Sequence, residues 1–227
     1  MTQFFSMPAV TTPLVWICQS NNGQNLTPFV VDRKLLPFVD CACQGLGDGM
    51  EEDVAGLCIF AGSVREMFNA SSFSKSFPVY RERTGALTLV THTPEHLGQA
   101  QAVAGTVTRS SSSMPPSHGA RIVATVLDDA ELRADWTAEL DDMRKRIALM
   151  RQILRQKLED RQVAQDLAFL TDQKRMFSYT GFTEKQVETL RADFGIYTAR
   201  DGRIDAAGLS EANLDAATEG FAAVMRI

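Results

Sequence analysis

The sequence has little of what marks secreted, membrane or nucleic-acid-binding proteins. Its 227 residues include only four cysteines, which is too few for a disulfide framework and fits a reducing compartment. The 23 Lys and Arg residues are outnumbered by 28 Asp and Glu residues, so no nucleic-acid partner is expected. No stretch approaches the roughly 20 apolar residues that span a membrane. The composition is that of a globular protein, and the chain is long enough to form a hydrophobic core.

Charge is also missing from the first 31 residues. A secretory signal or a mitochondrial presequence needs basic residues there, and Pro8 and Pro13 interrupt the apolar stretches. We therefore expect a soluble, cytoplasmic protein with no membrane partner. Residues 1 to about 27 show no clean periodicity, and the polar run at 21–25 is typical of a turn. We therefore predict an irregular N-terminal segment over 1–33.

Strand and helix patterns alternate after residue 33. The apolar run at 35–39 leads to Asp40, which predicts a buried parallel strand with polar chemistry at its carboxyl end. The next predicted elements are a helix over 51–60, strands over 67–74 and 85–91, a helix over 94–107 and a loop over 110–119.

Apolar residues then recur every three or four positions, which predicts one long helix over about 128–160. The basic residues within it are interpreted as its solvated face: Arg144, Lys145, Arg146, Arg151, Arg155 and Lys157. Two shorter helices over 183–194 and 210–225 flank a β-like stretch over 196–207. A helical scaffold built on 128–160 is one possible function at this stage.

Two groups of residues resemble metal sites but lack the spacing that metal binding needs. Cys41, Cys43 and Cys58, with His92 and His96, lack the spacing of a zinc site, so no metal is predicted. The Asp-Gly pairs at 48–49 and 201–202 lack the alternating acids of a calcium loop.

A third group combines Asp40, which ends one predicted strand, with Lys75, which follows another, and with Ser72 and Arg83 nearby in sequence. Pyridoxal phosphate requires a carboxylate for its pyridinium, an amine for its carbonyl and a hydroxyl with a guanidinium for its phosphate. These four residues supply that set.

Five ordered motifs resemble a known family. They are LPFVD and QG at 36–45, SFSK and YRERTG at 72–85, PPSHG at 115–119, MFSYTG at 176–181 and GRIDAAGL at 202–209. On these motifs the sequence resembles the C-terminal half of the class I (fold-type I) aminotransferases, in the aspartate and aromatic amino-acid subgroup.

The resemblance implies an α/β fold with two domains. Part of the large domain, with a mostly parallel sheet and helices, would be joined by a long helix to a small α+β C-terminal domain. The expected boundaries are an irregular segment over 1–33, the second half of the cofactor-binding large domain over 34–127, the interdomain helix over 128–160 and the small domain over 161–227. Because residues 128–160 are then expected to connect two domains, the hypothesis of a helical scaffold is no longer favoured.

The resemblance also implies roles for the cofactor-binding residues. Lys75 would be the catalytic residue, would hold pyridoxal 5'-phosphate as an internal aldimine and would move the substrate proton. Asp40 would keep the pyridine nitrogen protonated, and Ser72 and Arg83 would hold the phosphate. Cys43 stands where the family has a tyrosine that donates to the cofactor; because a thiol is a weaker donor, we expect slower turnover.

Substrate binding is implied for three further residues. Arg203 would clamp the α-carboxylate, and Tyr179 would lie at the same substrate site. Arg109 would reach into the partner subunit's site in a homodimer and bind a second carboxylate.

The predicted function is transfer of an amino group from aspartate to 2-oxoglutarate. The alternatives are an aromatic amino-acid aminotransferase and an inactive fragment or interaction protein. Because family members are nearly twice as long, the expected partners are amino-acid and 2-oxo-acid substrates and either a second copy of the chain or a complementing N-terminal half.

Overall fold

The computed structural model describes residues 20–226, with side chains from residue 26 onward. The chain separates into two compact units, Met1–Leu140 and Asp141–Ile227, and the boundary falls inside the longest helix. A three-stranded sheet belongs to the first unit and a two-stranded sheet to the second. In the part of the chain described, no helix is long and apolar enough to cross a membrane.

The first unit alternates helices and strands. Its elements are α1 (Ser20–Asp32), β1 (Phe38–Cys41), α2 (Ala55–Ser63), β2 (Met67–Ser72), β3 (Gly85–Val90), α3 (Pro94–Ser112), α4 (His118–Asp128) and the first third of α5 (Ala130–Asp160). Short 3-10 turns lie at Glu52–Val54 and Tyr80–Glu82.

Strand β2 lies at the centre of the first sheet. It pairs in parallel with β1, where Asp40 is opposite Ala70, and antiparallel with β3, where Ser72 is opposite Gly85. Since residues two apart on a strand share a face, the register puts Asp40, Ala70 and Ser72 on one face of the sheet. The parallel pair places the carboxyl ends of β1 and β2 at one edge.

The opposite face of this sheet carries the core. Val39, Cys41 and Met67 are buried there with Phe60 of α2. Leu26 and Val30 of α1 pack against this cluster one helical turn apart.

This packing explains why the prediction of an irregular segment is wrong for residues 20–32: two apolar contacts stabilise a helix through a polar run that locally favours a turn. Residues 1–19 lie outside the described part of the chain.

Three other boundaries differ from the predictions. The first strand begins at Phe38, and Leu35 and Leu36 are exposed rather than buried. Helix α3 continues to Ser112, and α4 begins at His118. The loop between them therefore spans residues 113–117 rather than the predicted 110–119. Helix α4 was not predicted at all, although Val123 is completely buried in it.

The second unit contains the rest of α5, then α6 (Phe169–Asp172), β4 (Phe177–Tyr179), α7 (Glu184–Phe194), β5 (Arg203–Asp205) and α8 (Leu214–Val224). The predicted β-like stretch over 196–207 reduces to the three residues of β5. Strands β4 and β5 pair antiparallel with Tyr179 opposite Arg203. Leu154, Leu158 and Leu190 are completely buried in this unit.

The apolar stripe of α5 is confirmed in the second unit, where Ile147, Met150, Leu154 and Leu158 are buried. The solvated-face interpretation of its basic residues is wrong for Arg151, which is only 3% exposed. Spacing alone misplaces this residue because Arg151 follows Met150 directly and lies at the margin of the apolar stripe.

Candidate active site

The carboxyl end of β1 leads into a loop that a buried carboxylate holds in shape. Asp53, only 5% exposed, accepts hydrogen bonds from the backbone N–H groups of Gly45, Gly47 and Asp48 at 2.9, 2.9 and 3.0 Å. Gly45 has φ +86° and lies against Leu140, so a side chain there would be strained and would clash. Asp53 thereby fixes the segment that follows Asp40 and contains the half-buried Cys43.

Lys75 follows β2 by three residues and points back to this loop. Its Nζ donates to the backbone carbonyl of Ala42 at 3.4 Å. Ala42 lies two residues after Asp40, so the Lys75 amine is at the carboxyl end of the strand that carries Asp40.

Aromatic contacts support the lysine segment. The indole Nε1 of Trp136 donates to the carbonyl of Ser76 at 2.7 Å, and its ring stacks on Phe77 with centroids 4.4 Å apart. Phe77 also meets Phe73 edge to face at 5.5 Å. The segment that carries Lys75 is therefore restrained by the contacts of Phe73 before the lysine and of Ser76 and Phe77 after it.

Ser72 ends β2 and belongs to a small hydroxyl cluster. Its Oγ accepts from the backbone N–H of Ser74 at 3.2 Å and donates to the Ser74 hydroxyl at 3.1 Å. Because its partner in β3 is Gly85, the turn that precedes Gly85 lies at the same end of the sheet as Ser72.

Arg83 occupies that turn in the left-handed conformation, with φ 52°. Its exposed guanidinium donates to the Tyr80 carbonyl at 3.0 Å. The buried residue beside it, Thr84, accepts from the N–H of Phe73 at 3.1 Å and ties the turn to the lysine segment. Thus Asp40, Ser72, Lys75 and Arg83 come to one edge of the sheet.

Gly119 of α4 packs directly against the Arg83 turn. A Cβ at this position would lie 2.6 Å from Cβ of Glu82 and would clash with the hydroxyl of Thr84. The glycine of the PPSHG motif therefore has a packing role.

We expect Gly119→Ala to lower the free energy of unfolding by about 1–3 kcal/mol, because the turn must shift to admit the methyl group. Gly98→Ala in α3 is the matched control, since nothing lies within 4 Å of its added Cβ and alanine favours a helix. Urea denaturation of both variants measures the difference. A Gly119→Ala protein as stable as Gly98→Ala would contradict the packing role.

Two of the substrate-binding residues predicted from the sequence lie in the second unit. Tyr179 and Arg203 are opposite each other on β4 and β5, and both are exposed. The Arg203 guanidinium lies over the ring of Phe177, 5.4 Å from its centroid. Gln173 binds the Tyr179 backbone twice, accepting from its N–H at 2.6 Å and donating to its carbonyl at 3.0 Å.

Arg109 lies in the last turn of α3 and is exposed. None of the 19 residues of α3 is buried, and Val103 and Val107 are 63% and 57% exposed. The side of α3 that carries Val103 and Val107 is therefore exposed, and Arg109 lies in the last turn of the helix.

Sequence reasoning missed several residues that shape these sites. Asp53, Trp136, Gln173 and Phe177 act through contacts with residues 5 to 60 positions away. Asp53 left a sequence signal as an acidic residue shortly after a glycine-rich loop. Phe177 stands in the MFSYTG motif and Trp136 in the apolar stripe of the long helix, but neither pattern indicated the contact that the residue makes.

Comparison with known proteins identifies the relatives of this chain. It is 41% identical over 202 residues to the aspartate aminotransferase of Escherichia coli (strain K12), covering 89% of this chain and 51% of that protein. It is 41% identical over 229 residues to the aromatic-amino-acid aminotransferase of the same organism, covering 97% of this chain and 58% of that protein. The chain spans about half the length of the curated relatives it matches.

A solved structure of an aromatic-amino-acid aminotransferase from Burkholderia pseudomallei, covalently bound to pyridoxal phosphate, has a TM-score of 0.86 and 41% identity. The match covers 90% of this chain and 51% of that one. The fold is therefore that of the fold-type I aminotransferases, as the motifs predicted. Residues 19–221 match the family described as Aminotransferase class I and II, and the chain belongs to this family.

The subgroup is also confirmed, because the relatives are aspartate, aromatic-amino-acid and tyrosine aminotransferases. The aspartate and aromatic-amino-acid enzymes of Escherichia coli both match at 41% identity, so the comparison does not separate the two substrates.

Proposed function

We propose that this chain carries the catalytic lysine and the substrate-binding arginine of a pyridoxal-phosphate-dependent aminotransferase. The observation that supports this most strongly is the hydrogen bond from Lys75 to Ala42, which brings an amine to the strand end occupied by Asp40. With both groups at the carboxyl end of one strand, the amine could bind the carbonyl of the cofactor while the carboxylate binds the pyridine nitrogen on the other side of its ring.

The residues at this edge fit the cofactor. Asp40 would accept from the protonated pyridine nitrogen, and an ion pair shielded from water would favour that protonation. The Ser72 hydroxyl and the Arg83 guanidinium would bind the phosphate, and Arg83 uses only one of its five N–H donors on Tyr80. When bound, pyridoxal phosphate supplies an electron-withdrawing ring that stabilises negative charge at the substrate Cα.

Lys75 would do the proton transfer. Its Nζ would take the proton from the substrate Cα as a general base and return it as a general acid. The hydrogen bond to Ala42 and the stacked rings of Phe77 and Trp136 restrict where this amine can lie, which limits the entropy lost in reaching the reactive geometry.

Arg203 would bind the α-carboxylate of the amino acid and of the 2-oxo acid. A guanidinium offers two parallel N–H donors to a carboxylate, and the Phe177 ring under it limits its rotation. Tyr179, opposite Arg203, would border the same site.

The proposed donor is aspartate and the proposed acceptor is 2-oxoglutarate. Arg109 supports this choice, because an exposed cation in the last turn of α3 could bind the second carboxylate of a substrate held by a second copy of the chain. A homodimer through α3 would cover Val103 and Val107. An aromatic amino-acid donor is the second candidate, favoured by the relative that covers 97% of this chain.

The function can be tested by trapping the cofactor on its lysine. Purified protein is mixed with pyridoxal phosphate, reduced with borohydride and digested, and the modified peptide is identified by mass spectrometry. We expect the label on Lys75 in the wild type and in the control Lys185→Ala, and none in Lys75→Ala. Lys185 is an exposed lysine on α7 and serves as a matched surface substitution.

The same preparation is assayed for amino transfer from aspartate and from tyrosine to 2-oxoglutarate. Faster transfer from aspartate supports the first donor, and faster transfer from tyrosine supports the second. Protein that takes up no cofactor and transfers nothing would overturn the proposal in favour of the inactive fragment.

A further inference from the structure

Arg151 is a buried cation of the second unit to which the proposed function assigns no role. It lies on α5, and its guanidinium donates to four acceptors. These are the carbonyls of Leu170 at 3.1 Å, Arg175 at 2.6 Å and Phe177 at 3.0 Å, and the hydroxyl of Ser178.

Keeping this cation buried is costly. Burial lowers the pKa of Arg151 to about 10, while the charge of Asp205 acts in the opposite direction. The side chain is therefore still protonated at neutral pH. Its Nε has no hydrogen-bond partner among the described residues, and the four acceptors named above are three carbonyls and a hydroxyl rather than carboxylates. Its four hydrogen bonds hold the backbone groups around it in one arrangement.

The conformation that it fixes is that of β4. Three of its four acceptors lie in β4 or within two residues of it. Among the described residues, strand β4 has one neighbour in its sheet, β5, so the backbone groups on its outer edge pair with no strand there. On that edge Arg151 binds the Phe177 carbonyl, and Gln173 binds the backbone of Tyr179.

Phe177 connects this buried cation to the exposed one. Its carbonyl accepts from Arg151, and its ring lies under the Arg203 guanidinium. Strand β5, which carries Arg203, pairs with β4 along the same three residues. A displaced β4 would therefore move both the ring under Arg203 and the strand that carries it.

We propose that Arg151 is a positioning residue for carboxylate binding at Arg203. It would act through the backbone and ring of Phe177 and would not contact the substrate. The inference rests on the proposed function, in which Arg203 binds the substrate α-carboxylate. Lysine cannot replace Arg151, because one ammonium cannot reproduce a planar fork that serves four acceptors.

The test compares Arg151→Lys and Arg151→Met with the control Arg155→Met. Arg155 is also an arginine of α5 and lies one helical turn further along it. It binds Thr171 and Glu159 rather than residues of β4, which makes it a control for the loss of an arginine from this helix. The probe is succinate, an unreactive dicarboxylate, titrated by calorimetry into cofactor-loaded protein. Hydrogen exchange at the amides of β4 and β5 is measured in parallel.

We expect both Arg151 variants to weaken succinate binding by about 10- to 100-fold and to speed amide exchange in β4 and β5. Uptake of cofactor on Lys75 should stay at the wild-type level, and Arg155→Met should bind succinate normally. A merely structural role would instead reduce cofactor uptake and succinate binding together.

The outcomes separate this inference from the proposed function. If the wild type binds no succinate, the proposed function fails and the inference fails with it. If the wild type binds succinate and Arg151→Lys binds it equally well, only the inference is overturned. It is also overturned if both variants lose cofactor uptake, or if amide exchange in β4 and β5 stays unchanged.

Discussion

Replacing Asp40 by asparagine is expected to slow amino transfer by about 100- to 1000-fold without unfolding the protein. Asparagine has nearly the same shape and can still accept a hydrogen bond. It carries no negative charge, so it would no longer favour a proton on the pyridine nitrogen. The loss should fall on kcat, because charge develops at the substrate Cα only as the proton leaves.

The fold should tolerate this change because Asp40 is held in β1 by its backbone. Its pairing with Ala70 does not depend on the carboxylate, and the neighbouring core residues Val39 and Cys41 face the other side of the sheet. We therefore expect the urea midpoint of unfolding to stay near the wild-type value.

The matched control is Asp135→Asn, an exposed acid on α5 of the same unit. The rate of amino transfer from aspartate is measured at saturating cofactor for both variants. An Asp40→Asn rate close to that of Asp135→Asn would contradict the role proposed for Asp40. The assay is repeated at low cofactor concentration, and a loss that appears there but is absent at saturation would assign Asp40 to cofactor affinity alone.

The juxtaposition of Asp40 and Lys75 could be predicted from the sequence. An apolar run that ends in an acid indicates a parallel strand, and parallel strands bring their carboxyl ends to one edge. Ser72 and Arg83 were grouped with them because a phosphate needs a hydroxyl and a guanidinium. The register of β2 with β3 explains why these two residues lie at the same end of the sheet.

The supports of that edge could not be predicted, since they depend on contacts between distant segments. Trp136 lies 60 residues from Ser76, and no local pattern links an indole on a long helix to a loop carbonyl. Helix α1 was missed for the same reason, because its stability comes from packing of Leu26 and Val30 rather than from helix propensity.

Arg151 is the clearest failure of periodicity. A basic residue beside an apolar stripe is usually solvated, and only the three-dimensional structure shows carbonyls gathered around this one. The error bears on the proposal for Arg203, since the buried guanidinium binds β4, the strand that pairs with the one carrying Arg203.

Replacing Arg203 by lysine is expected to raise KM for the amino acid by tenfold to more than a hundredfold. Losing one hydrogen bond between charged groups costs about 1.5–3 kcal/mol, and lysine offers a single point charge where arginine offers a fork. Lysine would also lose the flat contact with the Phe177 ring. Uptake of cofactor on Lys75 should be unaffected.

Arg200→Lys is the matched control for this substitution. Arg200 lies in the turn that precedes β5, is exposed and forms an ion pair with Glu184 of α7. Steady-state kinetics with aspartate should give a wild-type KM for Arg200→Lys. If Arg203→Lys lowers kcat and leaves KM unchanged, Arg203 does not bind the α-carboxylate in the ground state.

The Arg203 substitution also reports on Arg151 through a double-mutant cycle. If Arg151 acts only through Arg203, then removing the Arg203 fork also removes what Arg151 positions. The variant with both Arg151→Lys and Arg203→Lys should therefore bind succinate about as weakly as Arg203→Lys alone, so the two effects would not add. Additive losses would mean that Arg151 supports carboxylate binding by a route that does not include Arg203.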